Sequence, residues 1–226
     1  MRRASFKLIS FSGIDGAGKS TQIDRLSDAL RAEGYKPKYL WTRGGYTGPF
    51  NVLKTLVRKV MGKKAIPSGR TEAREKVLGK SWVRTVWLSL AMLDLALVYG
   101  FYMRWLGLTG KTVIADRYLV DTWIDFTLNF PGSNFDRWPL WKLLQAITPK
   151  PDRAFMLLIP VEESLRRSKL KDEPFPDSAE VLSQRLAFYE KFSAAGYGIV
   201  IDCMHSIDEI SNQIVSIVRE GNVNEG

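Results

Sequence analysis

The stretch Gly13-Ile14-Asp15-Gly16-Ala17-Gly18-Lys19-Ser20-Thr21 follows an apolar run, Phe6 to Phe11, and opens a helical pattern from Lys19. Glycines at this spacing let successive backbone N–H groups turn inward around phosphate oxygens, and the helix N-terminus behind them adds partial positive charge. Lys19 is placed to reach the outer phosphates of a nucleoside triphosphate, and Ser20 to ligate Mg²⁺. Gly13, Gly16, Ala17, Gly18 and Thr21 complete the cradle. A glycine-rich turn that binds nothing would account for the glycines, but not for a lysine and a hydroxyl set between a strand and a helix.

Outward from this loop, apolar β-rich runs recur at Phe6 to Ser12, Pro37 to Thr42, Thr112 to Asp116, Arg153 to Ile159 and Gly198 to Asp202, with helical patterns between them. Such alternation predicts an α/β fold: a five-stranded parallel sheet with helices on both faces, in three layers. Short unbroken runs such as Val113-Ile114-Ala115 suit strands covered on both sides. In these sheets ligands gather at the carboxyl ends of the strands. The residues to inspect are therefore Gly13 to Thr21, Arg43 to Thr47, Asp116 to Tyr118, Pro160 and Val161, and Cys203 to Ser206.

The length of 226 residues and the 45% hydrophobic content fit one domain, 1–220, followed by a frayed tail, 221–226. Loop-forming residues at 172–177, between the basic helix from Val161 and the helix from Ser178, suit a short lid over about 166–178. The single cysteine, Cys203, excludes an internal disulfide framework and fits a reducing compartment, and the cytoplasm is the expected location. A net charge of +9, from 33 basic and 24 acidic residues, favours phosphorylated partners. Arg58, Lys59, Lys63, Lys64, Arg70, Arg74, Lys76, Lys80 and Arg84 cluster as a solvated helical face, a phosphate contact, or an anionic surface patch; no RNA-binding signature points to a nucleic-acid polymer.

From Thr85 to Met103 the chain is apolar except for Asp94, long enough to span a bilayer. Because a loop and later strands must share one compact sheet, a helix buried on most sides of a core is expected instead, without membrane contact. Asp94 then either faces a cleft or caps a neighbour. At the tip of the third predicted strand, Asp116 is suited to hold Mg²⁺ or its water and Arg117 to grip a second phosphate. Arg43, before Gly44-Gly45, ends the second strand. His205, the one histidine, is read as a solvent or adenine-pocket residue, and Trp123, Trp138 and Trp141 as packing, with base stacking by Trp123 or Phe126 the alternative.

Taken together, the loop 13–21 with Asp15 and Gln22, Asp116-Arg117-Tyr118, and Val200-Ile201-Asp202 before a last helix resemble the thymidylate kinase family of nucleoside monophosphate kinases over the whole chain in element order. The resemblance implies ATP and Mg²⁺, a phosphorylated small-molecule acceptor and a homodimer. It implies that Lys19 neutralises donor phosphates and Ser20 helps hold Mg²⁺. Asp15 would meet the acceptor, and Arg43 and Arg117 would hold its phosphate. Arg166 or Arg167 would lie near the adenine or the transferring phosphate, with Cys203 to Ser206 lining the adenine pocket. Asp94, Tyr118, Asp121 and Asp125 complete the acceptor candidates.

Several family features are altered. Arg43-Gly44-Gly45 replaces Arg-Glu-Pro-Gly-Gly, Leu95 stands where a base-reading arginine follows the aspartate, and the segment after Tyr118 reads Asp121-Thr122-Trp123-Ile124-Asp125-Phe126. No arginine follows Arg167 in the lid segment, where Lys169 and Lys171 offer point charges without bidentate geometry. The expected activity is transfer of the γ-phosphate to a nucleoside monophosphate, dTMP first. The alternatives are a same-fold kinase of another nucleotide, nucleoside or metabolite, or a nucleotide-binding interaction module at an anionic surface.

Overall fold

A computed structural model describes residues 7–42, 81–171 and 177–223. The chain separates into two compact units, one built from the stretches 1–41, 105–124 and 150–226, the other from 42–104 and 125–149.

The first unit holds β1 (Lys7–Ser12), α1 (Lys19–Ala32), β2 (Pro37–Trp41), β3 (Thr112–Asp116), β4 (Arg153–Leu158), α6 (Val161–Leu170), α7 (Ala179–Ala194), β5 (Ile199–Asp202) and α8 (Ile207–Val223). The five strands form one sheet in the order β2-β3-β1-β4-β5, every pairing parallel. This is the α/β architecture the alternation predicts, with strand ends within a residue or so of the expected ones. All of β3 is buried, consistent with its unbroken Val113-Ile114-Ala115 run, whereas the edge strand β2 leaves Tyr39 and Trp41 exposed. The core is Leu8, Ile9 and Phe11 of β1, Val113 to Ala115 of β3, and Phe155 to Leu157 of β4, with Ile23, Leu26 and Leu30 from the inner face of α1. Phe11 and Phe155 pack ring to ring on paired strands, 5.3 Å between centroids. α8 is tied to α1 by Gln22 Nε2 donating to the Ile207 carbonyl (3.2 Å), by an Arg25–Asp208 ion pair, and by Arg219 with Glu33 (2.6 Å).

The second unit takes most of a continuous helix that comprises α2 (Ser81–Ala96), a π-helical stretch Leu97–Tyr102, and α3 (Met103–Leu108). It also takes the end of α4 (Leu119–Asn129), a 3₁₀ turn Phe135–Arg137, and α5 (Pro139–Ile147). Gly100 sits close to α5: a Cβ there would lie 2.9 Å from Ile147 Cδ1, so that side chain would have to shift. Phe126, Phe130, Phe135, Trp87 and Trp141 stack mostly edge to face.

The long apolar helix departs from expectation in one respect. Leu88, Ala91, Met92, Leu95, Tyr99 and Met103 are buried, but Val86, Leu93, Leu97, Phe101 and Leu108 are exposed along the other side. Only 44% of its most apolar 18-residue window is buried, and the helix is long and apolar enough to cross a membrane by length and composition. Helical periodicity gives the run two faces, and packing within the unit covers one.

Candidate active site

The turn from β1 into α1 is set by backbone geometry. Gly13 has φ 146°, and a Cβ on it would lie 2.3 Å from the Leu157 carbonyl oxygen of β4. Gly16 has φ 79° and would carry a Cβ 3.2 Å from the Ser164 carbonyl and 3.3 Å from Arg167 Cβ on α6. The loop is thus held so closely that only glycine fits at Gly13, while at Gly16 the positive φ and the tight approach of α6 both favour glycine. Ser164 Oγ donates to the Asp15 carbonyl at 2.6 Å, fastening α6 to the same loop.

Lys19 is buried at the first position of α1, and its ammonium donates to the carbonyls of Gly13 and Ile14, both at 2.9 Å. Burial, then the nearby Arg117 charge, lowers its pKa, while Asp15, Asp116 and Asp121 oppose the shift. Ser20 and Thr21 are exposed beside it. Ala17 closes the turn, donating to the Ile14 carbonyl at 3.3 Å.

β3 delivers Asp116 and Arg117 to this loop. Arg117 has φ 70°, uncommon for a residue with a Cβ, and its N–H donates to the Phe11 carbonyl at 2.9 Å. Its guanidinium donates to Asp15 Oδ1 at 2.6 Å. Asp116 is 6% exposed; Oδ2 accepts from the Tyr39 hydroxyl at 2.9 Å, and Oδ1 is buried with no donor among the described residues. A buried carboxylate oxygen without a donor, at the end of the strand that pairs with β1, is a hard oxygen ligand of the kind Mg²⁺ takes. Among the described residues no group of three or more His, Cys, Asp or Glu forms a protein-only metal cage.

Asp121 is almost fully buried and accepts three hydrogen bonds: from Ser12 Oγ (2.6 Å), the Tyr118 N–H (2.8 Å) and the Tyr189 hydroxyl (2.7 Å). Arg117 Nη1 stands 4.0 Å from the same carboxylate. Burial pushes the Tyr189 phenol well above its ordinary pKa, so it remains a donor. Asp121 therefore joins β1, the β3–α4 turn and α7 at one point.

On α6, Glu163 holds both arginines. It accepts from Arg166 twice at 2.7 Å and from Arg167 Nε at 2.6 Å, and these bonds bring its carboxyl down to about 2. Arg167 also donates to the Gly16 carbonyl (3.2 Å) and the Cys203 carbonyl (3.0 Å), bridging the phosphate loop and the loop after β5. Cys203 is buried, and desolvation pushes its thiol up to about 12, which makes it inert. His205 is exposed, 3.8 Å from the Asp202 carboxylate.

The loop Gly13 to Thr21, Asp116, Arg117, Tyr118, Asp121, Arg166, Arg167 and Cys203 thus gather in the first unit. Asp94 and Asp125, each 5% exposed, lie in the second. Arg43, residues 172–176 of the lid segment and most of the basic cluster lie outside the described residues. Trp123 packs edge-on against Phe188 and Phe192, ring centroids 5.2 Å away in each case, as the packing reading expects. Sequence reasoning passed over Tyr39, Ser12, Glu163, Ser164 and Tyr189. Ser12, adjoining the loop, carried a positional signal; the others needed the strand register and helix packing.

No protein-family profile matches the chain. Curated relatives match it nearly end to end: a thymidylate kinase of Desulfotalea psychrophila, 29% identical over 95% of each chain; one of Rhodopirellula baltica, 28% identical over 93% of this chain and 79% of that one; and one of Bradyrhizobium, 28% identical over 95% and 90%. This likeness to thymidylate kinases runs the length of a phosphate-loop sheet whose Asp-Arg pair meets the loop.

Proposed function

We propose that this chain is a nucleoside monophosphate kinase that uses ATP and Mg²⁺, that dTMP is its first-ranked acceptor, and that residues 1–220 work as one kinase domain. The observation carrying the reading is the meeting of Arg117 with Asp15 at 2.6 Å beside Lys19. It brings Lys19 and Arg117 to one loop, which supports a lysine serving the donor phosphates and an arginine the acceptor phosphate, the arrangement in-line transfer between two phosphates requires. Backbone N–H groups of the loop and the Lys19 charge hold the donor phosphates; Arg117, with Arg43, holds the acceptor phosphate. Asp15 orients Arg117, and Arg166 or Arg167 serves the donor side after exchanging contacts with Glu163. The protein's work is positioning and stabilisation of spreading negative charge, with no strong base needed. Ser20 and Asp116 would hold Mg²⁺, which when bound neutralises charge on the outer phosphates.

Leu95 favours a second reading of the acceptor. It is fully buried in the second unit where a base-reading arginine is expected after the aspartate, so another nucleotide, a nucleoside or a non-nucleotide metabolite takes the acceptor place. Incubation with ATP, Mg²⁺ and each common nucleoside monophosphate, reading ADP above a no-acceptor control, tests both. Stimulation by dTMP supports the first reading. ATP binding without stimulation by any nucleotide overturns it and leaves the second. We further propose a cytoplasmic homodimer without nucleic-acid or membrane partners.

A further inference from the structure

We infer that Tyr39 is a positioning residue for Asp116: its hydroxyl fixes which carboxylate oxygen is presented to Mg²⁺ bound with the nucleotide. This rests on the kinase reading and deepens it.

β2 is an edge strand, and Tyr39 is 48% exposed, which on its own marks an ordinary aromatic on a sheet border. The register gives it another place. Trp41 pairs with Asp116 and Tyr39 with Ile114, so Tyr39 lies one pleat back on the face of the sheet that carries Asp116. From there a phenol reaches across the strand pair, and its hydroxyl donates to Oδ2 at 2.9 Å.

The two oxygens of Asp116 are consequently unequal. Oδ2 is satisfied, while Oδ1 is buried with no partner among the described residues. A buried carboxylate oxygen without a donor is costly and calls for a partner. The last torsion of a carboxylate is broad, so a donor fixed to one oxygen sets the carboxylate plane and aims the other oxygen at the missing partner. Simple fastening of β2 to β3 does not require this bond, because the strands already pair over five residues from Pro37 to Trp41. A tyrosine hydroxyl is protonated at neutral pH, so Tyr39 is a donor there.

Partners that orient a metal-holding carboxylate typically contribute about 10–100-fold in metal affinity or activity. A single neutral hydroxyl belongs at the low end of that range. Tyr39→Phe keeps the ring and removes only the donor, and it is tested in the full chain by calorimetric titration of ATP with and without Mg²⁺. The expected result is an unchanged affinity for ATP alone, an affinity gain from Mg²⁺ reduced about tenfold, and a half-saturating Mg²⁺ concentration in turnover raised by the same factor. Acceptor KM and Tm stay at wild-type values. In the Asp116→Asn background the Tyr39→Phe substitution has no further effect on Mg²⁺ dependence.

Equal Mg²⁺ gains in wild type and Tyr39→Phe overturn the proposal. So does a fall in Tm or a rise in acceptor KM alone, which would make Tyr39 a structural or acceptor-contacting residue. An Asp116→Asn variant with wild-type Mg²⁺ dependence also overturns it. If instead no acceptor stimulates turnover of the wild type, the kinase reading fails separately, and the Mg²⁺ gain in ATP binding still decides the role of Tyr39.

Discussion

Asp121 accepts from a serine hydroxyl, a backbone N–H and a tyrosine hydroxyl while almost fully buried, so both of its oxygens have structural work. In Asp121→Asn the amide oxygen can keep the bonds from the Tyr118 N–H and Ser12, which share one carboxylate oxygen, leaving the N–H₂ to face the Tyr189 hydroxyl, which must turn to accept, and the charge beside Arg117 is lost. The expected loss is about 1–3 kcal/mol, read by urea denaturation, and Tyr189→Phe in the same background should add little because the bond is already weakened. Lys19→Ala should lower acceptor-stimulated turnover by at least about 100-fold, as removal of one preorganised charge donor typically does. Turnover left intact would make the phosphate-loop assignment wrong. Arg117→Ala should raise acceptor KM well before it alters ATP affinity, and equal losses in both would contradict its acceptor-side role.

The connection between β1 and α1 succeeds because its first glycine touches β4. Gly13→Ala drives a Cβ toward the Leu157 carbonyl and should cost about 3 kcal/mol through forced backbone movement. Gly34→Ala is the control: that glycine also has a positive φ, 84°, but a Cβ there meets nothing. The difference between the two variants reports the Leu157 contact together with the greater backbone strain at φ 146°. On α6, Glu163 titrates at about 2 in the folded chain against an ordinary 4.5. A depressed folded-state pKa stabilises above the unfolded value, so its contribution is full above pH 4.5 and fades as pH falls toward 2. The stability gap between wild type and Glu163→Gln should close across that window in acid titrations followed by circular dichroism. The expected lid segment illustrates what spacing can and cannot reveal: Arg166 and Arg167 were recognisable as cations on a helix, but their capture by Glu163 follows from i,i+3 and i,i+4 neighbours on one helical face.

Across the molecule, the helix from Ser81 to Leu108 exposes Val86, Leu93, Leu97, Phe101 and Leu108 on one side. A second copy of the chain is the proposed cover, since a two-fold contact lets one apolar stripe meet its own copy without a separate partner. Phe101→Glu should convert a dimer to monomer in sedimentation velocity and leave the fold intact, because that side chain is 72% exposed. A wild type that sediments as a monomer, or one that pellets with liposomes independently of salt, would overturn the homodimer.

The phosphate loop, the parallel α/β alternation and the strand-end Asp116-Arg117 pair were all determined by the sequence, because each depends on local periodicity or on short fixed spacings. The tertiary structure alone decided that Tyr39 meets Asp116 across a register of two strands distant in the chain, and that Asp121, an acceptor candidate from its position, joins Ser12 to Tyr189. It also decided that the apolar helix has a covered and an uncovered side. Contacts between residues tens of positions apart are fixed by packing, and no local pattern in the chain encodes them.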